Sequence, residues 1–404
     1  GLLAELGPPL SLLLTSARWL TAEVAARYRR VFEQIYEQSA RATGSPVVEA
    51  TNVWLKARPL VYDESPRLVR GVVALFQKHW AKLLDVAPGA RRVQYSSEEL
   101  RGRVEEAFAA PDVGWSHARY NSPDVMVAAP SLEAFARGDY LLVLGELHAA
   151  SITLTNWLFL AQHESPERLI ACKAADQAAP QVILTATKYQ PTLTVRTTRA
   201  LLTEQDYFLE SSHEASSAPP GRRLPIGELV LERRAGGVVV RTRDGRLQFD
   251  VVEFLGHALS SAVMNAVKVF PPSGHTPRLT IDRLVVCREQ WTFGPPEMPF
   301  AQEADEASRF VAARRWARAH GMPRFVFVKT PAEVKPFYVD FDSHIYVNIF
   351  AKMIRRAAAA ASPGAPPRIT VSEMLPTAEQ TFLPDAEGRR YTSEFRFVAF
   401  EPPR

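Results

Sequence analysis

Two residues that could exchange a proton follow a short apolar segment. Glu146 and His148 come directly after the apolar run 141–144 and stand two positions apart. Side chains two apart on a β-strand point to the same side, so this pair could work as acid and base on one substrate group. A buried polar pair or a helix cap would give the same pattern, and both interpretations stay open.

A second cluster joins Arg119, Asn121 and Asp124 where a predicted strand meets a turn. An arginine beside an amide and a carboxylate could bind a phosphate or a hydroxyl group. The structural alternative is an Asx-type turn with a paired arginine.

Arginines are concentrated in residues 277–291, which read as a strand. Strand alternation places Arg278, Thr280 and Asp282 on one face and Leu279, Ile281 and Arg283 on the other, and Arg288 follows. A guanidinium pairs with phosphate or carboxylate oxygens through two parallel hydrogen bonds. A solvated strand carrying salt bridges explains the pattern equally well.

A predicted hairpin carries a further pair of basic residues. Its two strands are expected at 324–329 and 337–341, with Lys329 and Lys335 near their ends and Asp340 and Asp342 beside them. The lysines could contact a polyanion, and an ordinary surface hairpin is the alternative.

The signatures of several enzyme classes are absent. The chain contains no GxGxxG, GxxxxGK[ST], HExxH or GxSxG, which argues against a self-contained NTPase, a dinucleotide enzyme, a zinc protease or an α/β-hydrolase. Nine His and two Cys are scattered without the spacing of metal ligands, so no metal site is predicted.

Composition limits the remaining classes. The 404 residues are 47% hydrophobic, enough for a large core. Lys and Arg total 48 against 44 Asp and Glu, without a basic block, so nucleic-acid binding would depend on local patches made by the fold. No apolar run approaches the roughly 18–20 residues that span a bilayer. Two cysteines without CxxC suit a reducing cytoplasm.

Hydrophobic periodicity predicts the elements that must hold these residues. Helices are expected at 11–43, 68–84, 97–109, 151–163, 249–270, 300–320 and 345–361. Strands are expected at 54–62, 117–129, 140–147, 181–187, 279–287, 324–329, 337–341, 368–371 and 391–400. Residues 188–250 read as an antiparallel hairpin region with a loop at 211–223. The pattern predicts an α+β fold with mixed, mostly antiparallel sheets and packed helices, divided into parts 1–205 and 206–404.

Taken together, the motifs resemble lantibiotic dehydratases. Six occur in the family's order: RYNSPDVMVAA, GDYLLVLGELH, TPRLTIDRLVVCREQW, PRFVFVKTPAEVKPFYVDFDS, SEMLP and GRRYTSEFRF. The early segment LGPPLSLLLTSARWLTAEVAARYR is also similar to that family. The resemblance covers nearly the whole chain and is to the later part of the N-terminal glutamylation domain.

The resemblance implies a step in lanthipeptide or related antibiotic biosynthesis. Glutamate passes from glutamyl-tRNA to a Ser or Thr hydroxyl of a ribosomally made precursor peptide, and a separate elimination domain then removes it to leave a dehydroamino acid. Glutamyl-tRNA is the co-substrate and no cofactor is expected, because the acyl group arrives activated. A precursor peptide, an elimination domain or protein and a cyclase are the implied partners.

The resemblance also assigns roles to the candidate residues. Glu146, His148 and Asp124 are the expected catalytic residues. The expected tRNA contacts are Arg119, Arg278, Arg283, Arg288, Lys329 and Lys335. Arg278, with Arg283 or Arg288, would hold the acceptor end or the glutamyl ester, and Asp282 would orient Arg278.

The chain is expected to begin after the opening section of the family's domain and to end before any elimination domain, so dehydration by the chain alone is not expected.

Three other interpretations accompany this one. The chain could instead be a non-catalytic scaffold for a peptide or partner enzyme, or an aminoacyl-tRNA-dependent peptide ligase. A soluble α+β enzyme of other chemistry is the third alternative.

Overall fold

The computed structural model describes residues 1–62, 67–177, 179–185, 201–211, 218–360 and 366–402. Within these ranges the α-helices are α1 Leu2–Thr43, α2 Ala50–Tyr62, α3 Arg67–Leu84, α4 Ser97–Ala107, α5 Leu132–Ala136, α6 Trp157–Gln162, α7 Pro166–Asp176, α8 Val251–Phe254, α9 Gly256–Val263, α10 Glu306–Ala319 and α11 His344–Ala359. None of these helices combines the length and the apolar character needed to cross a membrane.

The strands of the same ranges are mostly short. They are β1 Val47–Glu49, β2 Arg92–Tyr95, β3 Tyr120–Ala128, β4 Leu141–His148, β5 Val182–Leu184, β6 Tyr207–Glu210, β7 Arg223–Pro225, β8 Leu229–Arg234, β9 Gly237–Thr242, β10 Gln248–Asp250, β11 His275–Thr276, β12 Arg278–Ile281, β13 Leu284–Cys287, β14 Gln290–Phe293, β15 Phe325–Lys329, β16 Phe337–Asp340, β17 Ile369–Glu373, β18 Leu383–Pro384, β19 Arg390–Tyr391, β20 Glu394–Arg396 and β21 Ala399–Phe400.

Two larger sheets organise the molecule. The seven-stranded sheet runs β2-β12-β13-β4-β3-β20, with β21 also on β3, and the five-stranded sheet runs β11-β14-β17-β15-β16. The five-stranded sheet is antiparallel throughout. The larger sheet is mixed, because β2 runs parallel to β12 and β13 runs parallel to β4. The predicted α+β fold with mixed, mostly antiparallel sheets is confirmed.

The longest helix, α1, packs one side of the first core. It begins nine residues before the predicted start and ends at Gly44, whose φ of 64° is the left-handed conformation that closes many helices. Its Leu13, Leu20 and Tyr28 are fully buried. Helix α3 contributes Phe76 and Trp80 to the same core, so the helix predicted over 68–84 is confirmed.

Residues 54–62 form a helix, and the predicted strand there is wrong. The aromatic and β-branched residues favoured a strand, but Val53, Trp54 and Ala57 are buried at helical spacing. Packing onto the rest of the core decides the conformation of such a short ambiguous run.

The helix predicted over 249–270 is much shorter in the structure. Asp250 caps α8 by accepting a hydrogen bond from the Val252 amide, and α9 ends at Val263. Residues 264–274 then continue without regular helix, and Pro271 and Pro272, which cannot donate a backbone hydrogen bond, lie near the end of this segment. This irregular segment becomes one wall of the candidate site.

The strand predicted over 279–287 is two strands, β12 and β13, joined by a tight turn. Ile281 pairs with Leu284, and Asp282 adopts the left-handed φ of 52° that such turns require. Arg283 therefore lies in the turn and not on a strand face. Leu279 and Ile281 point into the core as predicted.

Several other predicted elements differ at their ends. Helix α4 is capped by Ser96, one residue before the predicted start, through a reciprocal pair of hydrogen bonds with Glu99. The 151–163 segment holds a short 3-10 turn followed by α6, and 391–400 holds three short strands. The β8–β9 hairpin confirms antiparallel pairing within 229–242. Residues 188–200, and residues 212–217 of the predicted loop at 211–223, lie outside the described ranges.

The side chains collect into two main cores. The larger includes α1, α3 and the seven-stranded sheet, and the smaller lies between the five-stranded sheet and helices α10 and α11. In chain order, most residues of the larger core precede residue 287, and the residues of the smaller core begin at Trp291. The predicted division of the chain at 205/206 remains a prediction. Two fully or almost fully buried carboxylates, Glu289 and Glu373, join the sheets by binding Arg91, Arg92 and Arg278.

Candidate functional site

A cleft of about 840 Å³ lies where the two sheets meet. Its walls come from α3, the end of β4, the irregular segment after α9, and β13 and β14. Apolar side chains such as Val69 and Val286 form part of the lining. Amides and hydroxyls are added by Gln77, Asn265, Thr276, Gln290, Thr292 and Thr370. An apolar cavity with a few converging polar groups is the usual form of a small-molecule or substrate site.

Three cationic side chains reach this cleft: Arg70, Lys268 and Arg288. Lys268 lies 3.2 Å from the Glu146 carboxylate, which also lines the cleft. Both side chains are substantially exposed, so the pair is solvated and can exchange partners at little cost.

Arg288 is held in an unusual way for a cation in a cleft wall. Its Nε and Nη2 donate to the Leu375 carbonyl at 3.0 and 2.9 Å, and its Nη1 donates to the Leu144 carbonyl at 3.1 Å. Burial lowers the pKa of the Arg288 guanidinium, and the charge of Glu373 acts in the opposite direction. Among the described residues no carboxylate lies within ion-pair distance of Arg288. Its positive charge is therefore fixed by carbonyl dipoles and remains available to a bound anion.

The three predicted catalytic residues lie together. His148 Nε2 is 3.2 Å from Asp124 Oδ2 and 3.7 Å from Glu146 Oε2. His148 is fully buried, Asp124 is almost so, and Glu146 opens to the cleft. The cluster therefore runs from the interior of the seven-stranded sheet to the cleft surface.

The β3–β4 pairing explains why these side chains meet. Glu146 and His148 alternate on β4 as predicted, whereas Asp124 sits where the register shifts between Pro123 and Val125. Such a bulge turns a side chain away from its regular direction. Gly145 lies opposite it, and a Cβ there would make a tight contact of 3.3 Å with the Asp124 carbonyl oxygen.

The surroundings of His148 restrict where its proton can be. Nε2 faces two carboxylates, so this nitrogen carries a hydrogen. Nδ1 lies 3.0 Å from Asn265 Oδ1, and it either donates to that oxygen or, with the amide turned, accepts from its NH2 group. One side of the imidazole is thus fixed by Asn265 while the other can share its proton with Asp124 or Glu146.

The remaining predicted tRNA contacts are spread over the molecule. Arg119 donates to the carbonyls of Glu401 and Pro402 near the end of the chain. Arg283 stands over the Tyr140 ring, with its guanidinium carbon 5.6 Å from the ring centre. Lys329 donates to the Glu333 carbonyl, and Lys335 is exposed. Of the six predicted basic contacts, Arg288 lines the cleft; a tRNA contact by any of the six stays a prediction.

Arg278 is oriented by Glu373, and the predicted orientation by Asp282 is wrong. Arg278 makes two parallel hydrogen bonds to the Glu373 carboxylate. The Asp282 carboxylate instead accepts the Ser97 amide at 2.8 Å, at the start of α4. Asp282 stands in the turn after β12, so alternation along the strand no longer applies to it.

Sequence reasoning missed Lys268, Arg70 and Asn265. Lys268 and Asn265 fall within residues expected to be helical, where nothing marks one polar residue over another. Arg70 lies on the polar side of a predicted amphipathic helix, a position usually occupied by solvated charges. The Pro271-Pro272 pair was the available signal that this segment ends as a loop beside a site.

Comparison with known proteins supports the predicted resemblance. Residues 268–350 match the family model of the lantibiotic dehydratase N terminus. This match confirms the resemblance over those residues, which include Lys268, Arg288 and Gln290 of the cleft. No curated protein matches the sequence.

Two solved structures of one glutamylation domain share the fold of this chain. The glutamylation domain TbtB from thiomuracin biosynthesis matches with a TM-score of 0.56 at 19% identity, covering 98% of this chain and 50% of that one. The TbtB domain bound to 5'-phosphodesmethylglutamycin matches with a TM-score of 0.56 at 18% identity. The tRNA dependent lantibiotic dehydratase MibB from Microbispora sp. 107891 gives 0.46 at 14%, over 75% of this chain and 32% of that one. The chain spans about half the length of the TbtB structures.

Proposed function

We propose that this chain is part of a tRNA-dependent glutamyl transferase that acts on Ser or Thr hydroxyls of a ribosomally made precursor peptide. The reaction would prepare the hydroxyl for elimination during lanthipeptide or related natural-product biosynthesis. The proposed partners are glutamyl-tRNA, the precursor peptide, an elimination domain or protein, and a cyclase. A cytoplasmic location is part of the proposal.

The observation that carries the proposal is the position of the family-matched segment in the cleft. Residues 268–350 supply Lys268, Thr276, Arg288, Gln290 and Thr292 to its lining. The segment that matches the family model therefore supplies part of the lining of the cleft, including two of its three cationic side chains.

Acyl transfer from an ester makes three demands on a site. The hydroxyl must be positioned, its proton must be accepted, and the negative charge on the tetrahedral intermediate must be stabilised. No nucleotide-binding loop is required, because the ester of glutamyl-tRNA is already activated.

The cleft offers a group for each demand. The Glu146 carboxylate faces the cavity and would accept the hydroxyl proton, with His148 and Asp124 behind it to hold or pass that proton. Arg288 and Lys268 would stabilise the oxyanion, the glutamyl carboxylate or a phosphate of the acceptor end. In this scheme Glu146 is the catalytic residue and Lys268 is its ion-pair partner before substrate binds.

The test is transfer of one glutamate to a candidate precursor peptide. Purified chain is incubated with peptide and charged tRNA, and the peptide mass is measured. We expect a gain of one glutamyl group in the wild type and a loss of about 100-fold or more in rate for Glu146→Gln, which removes the proton acceptor but keeps the shape. Glu133→Gln, an exposed carboxylate outside the cleft, is the matched control and should transfer normally.

The chemical nature of the product separates the alternatives. A glutamyl ester is released by mild base, whereas an amide is stable, so a base-stable product would identify a peptide ligase. A chain that binds the peptide with no mass gain under any charged tRNA would be a scaffold. Equal activity of Glu146→Gln and Glu133→Gln would remove Glu146 from the mechanism.

A further inference from the structure

A partly exposed aromatic patch lies on the outer face of the five-stranded sheet, where Phe327 is exposed and Phe325 and Tyr338 are half-buried. Helices α10 and α11 cover the other face, against which Val326, Val328 and Val339 are fully buried. Phe327 and Tyr338 are directly opposite each other on β15 and β16 and point outward, with their ring centres 6.5 Å apart. We call Phe325, Phe327 and Tyr338 the aromatic patch.

The patch extends to the neighbouring helix. Tyr346, near the start of α11, places its ring 5.0 Å from that of Tyr338 at an interplanar angle of 87°. Tyr346 is itself exposed, as are the aliphatic Ile345 and Ile349 beside it. Large apolar groups collected on one surface usually mark a place where another molecule binds.

The aromatic patch and the cleft share one continuous sheet face. Phe327 pairs with Ser372 on β17, and Ser372 pairs with Gln290 on β14. Gln290 lines the cleft, as do Thr292 and Thr370 from the next row. Neighbouring strands are about 4.8 Å apart, so Gln290 is about 10 Å from Phe327 and about 14 Å from Tyr338 across the face.

The charges of this face do not suit a polyanion. Arg324 is paired with Asp340 at 2.9 Å and Asp342 at 3.3 Å, and it lies over the Phe325 ring. Lys329 donates to the Glu333 carbonyl. The arginine beside the rings is balanced by two carboxylates, and rings followed by Ser, Thr and Gln side chains suit a peptide, whose side chains are apolar and whose backbone is polar.

We propose that this face is a docking surface for an extended peptide, with an aromatic or large aliphatic side chain on the patch and the acceptor hydroxyl in the cleft. The proposal rests on the proposed function for its acceptor. An extended chain advances about 3.3 Å per residue, so 10–14 Å corresponds to about three to four residues. A Ser or Thr seated beside Gln290 in the cleft is therefore three to four positions from a large apolar residue on the patch, and the surface selects peptides with that spacing.

The experiment uses fluorescein-labelled dodecapeptides of Gly, Asn and Gln. Each carries one Ser and one Trp, separated by one to eight positions on either side, and binding to the purified chain is measured by anisotropy. We expect the tightest binding at three or four positions on one side of Ser. Phe327→Thr should weaken that peptide about tenfold and remove the spacing preference, and Tyr338→Thr should act in the same direction.

The matched control is Phe395→Thr. Phe395 is 37% exposed and Phe327 is 36% exposed, both on strands, but Phe395 lies on β20 in the other sheet. Threonine suits an exposed strand position, and the melting temperatures of the variants verify that each is folded. The control should bind every peptide like the wild type.

Three results would overturn the docking surface: no spacing preference in the wild type, equal weakening by Phe395→Thr, or Phe327→Thr acting on a single-stranded RNA oligonucleotide but not on the peptides. A change in oligomeric mass caused by Phe327→Thr would assign the patch to a second copy of the chain and also overturn it. Failure here is distinguishable from failure of the proposed function. Spacing-dependent binding without glutamyl transfer would remove only the proposed function. Glutamyl transfer that is unaffected by Phe327→Thr would remove only the docking surface.

Discussion

Replacing Arg278 by methionine should unfold the chain more easily without touching the cleft. Arg278 binds Glu373 through two hydrogen bonds, and the Glu373 side chain is only 2% exposed. Methionine fills similar volume but leaves the buried carboxylate without its main partner. Removing one member of a buried pair costs about 3–5 kcal/mol in the free energy of unfolding.

The structure places the expected loss in the free energy of unfolding at the lower end of that range. Glu373 keeps the Glu289 amide at 2.8 Å and Arg92 at 3.2 Å, so it is not stripped of all compensation. We expect Arg278→Met to lose about 3 kcal/mol. Arg278→Met with Glu373→Met should recover at least about 1 kcal/mol of it, because no unpaired carboxylate remains at that position.

The assay is urea unfolding followed by tryptophan fluorescence for the two single variants and the double variant. Arg314→Met is the matched control: its pair with Asp342, at 2.8 Å, is exposed on both sides and should cost at most about 1 kcal/mol. The reasoning is refuted if Arg278→Met unfolds like the wild type while its affinity for tRNA falls tenfold or more. That result would make Arg278 a ligand contact, as the sequence suggested.

Two further predictions concern titrating groups. Burial alone would raise the pKa of Glu373, but hydrogen bonds from Arg278 and the Glu289 amide, with the nearby arginine charges, lower it overall below its ordinary value of 4.5. The stability that this carboxylate contributes is therefore present above pH 4.5 and is lost as the pH falls through the lowered pKa. Glu373→Gln should accordingly lose less stability than the wild type on acidification. Burial raises the pKa of the Cys287 thiol to about 12. At about pH 8, iodoacetamide should therefore alkylate the exposed Cys172 and leave Cys287 largely intact, as measured by peptide mass mapping. Equal modification of the two thiols would contradict the raised pKa of Cys287.

Local patterns were sufficient for the elements with a strong period. Helices α3 and α11 lie within two residues of their predicted bounds because an amphipathic period over several turns has one good burial solution, whereas α10 begins six residues after its predicted start. The Glu146–His148 pair was predicted for a similar reason, since alternation on a strand is a property of the backbone itself.

Short and irregular segments needed the tertiary structure. Residues 54–62 have strand-like composition, yet burial against α1 makes them helical. The turn at Asp282 and the bulge at Asp124 each change the direction of a side chain by a local backbone shift that alternation cannot anticipate.

The α+β class, most of the periodic elements and the Glu146–His148 pair could be predicted from the order of the residues. Packing of distant segments brings Asp124 to that pair, binds Arg278 to Glu373 from 95 positions away, and places Lys268 and Arg288 in one cleft. Periodicity acts over a few neighbouring residues, whereas a buried ion pair or a cavity depends on which distant segments pack together.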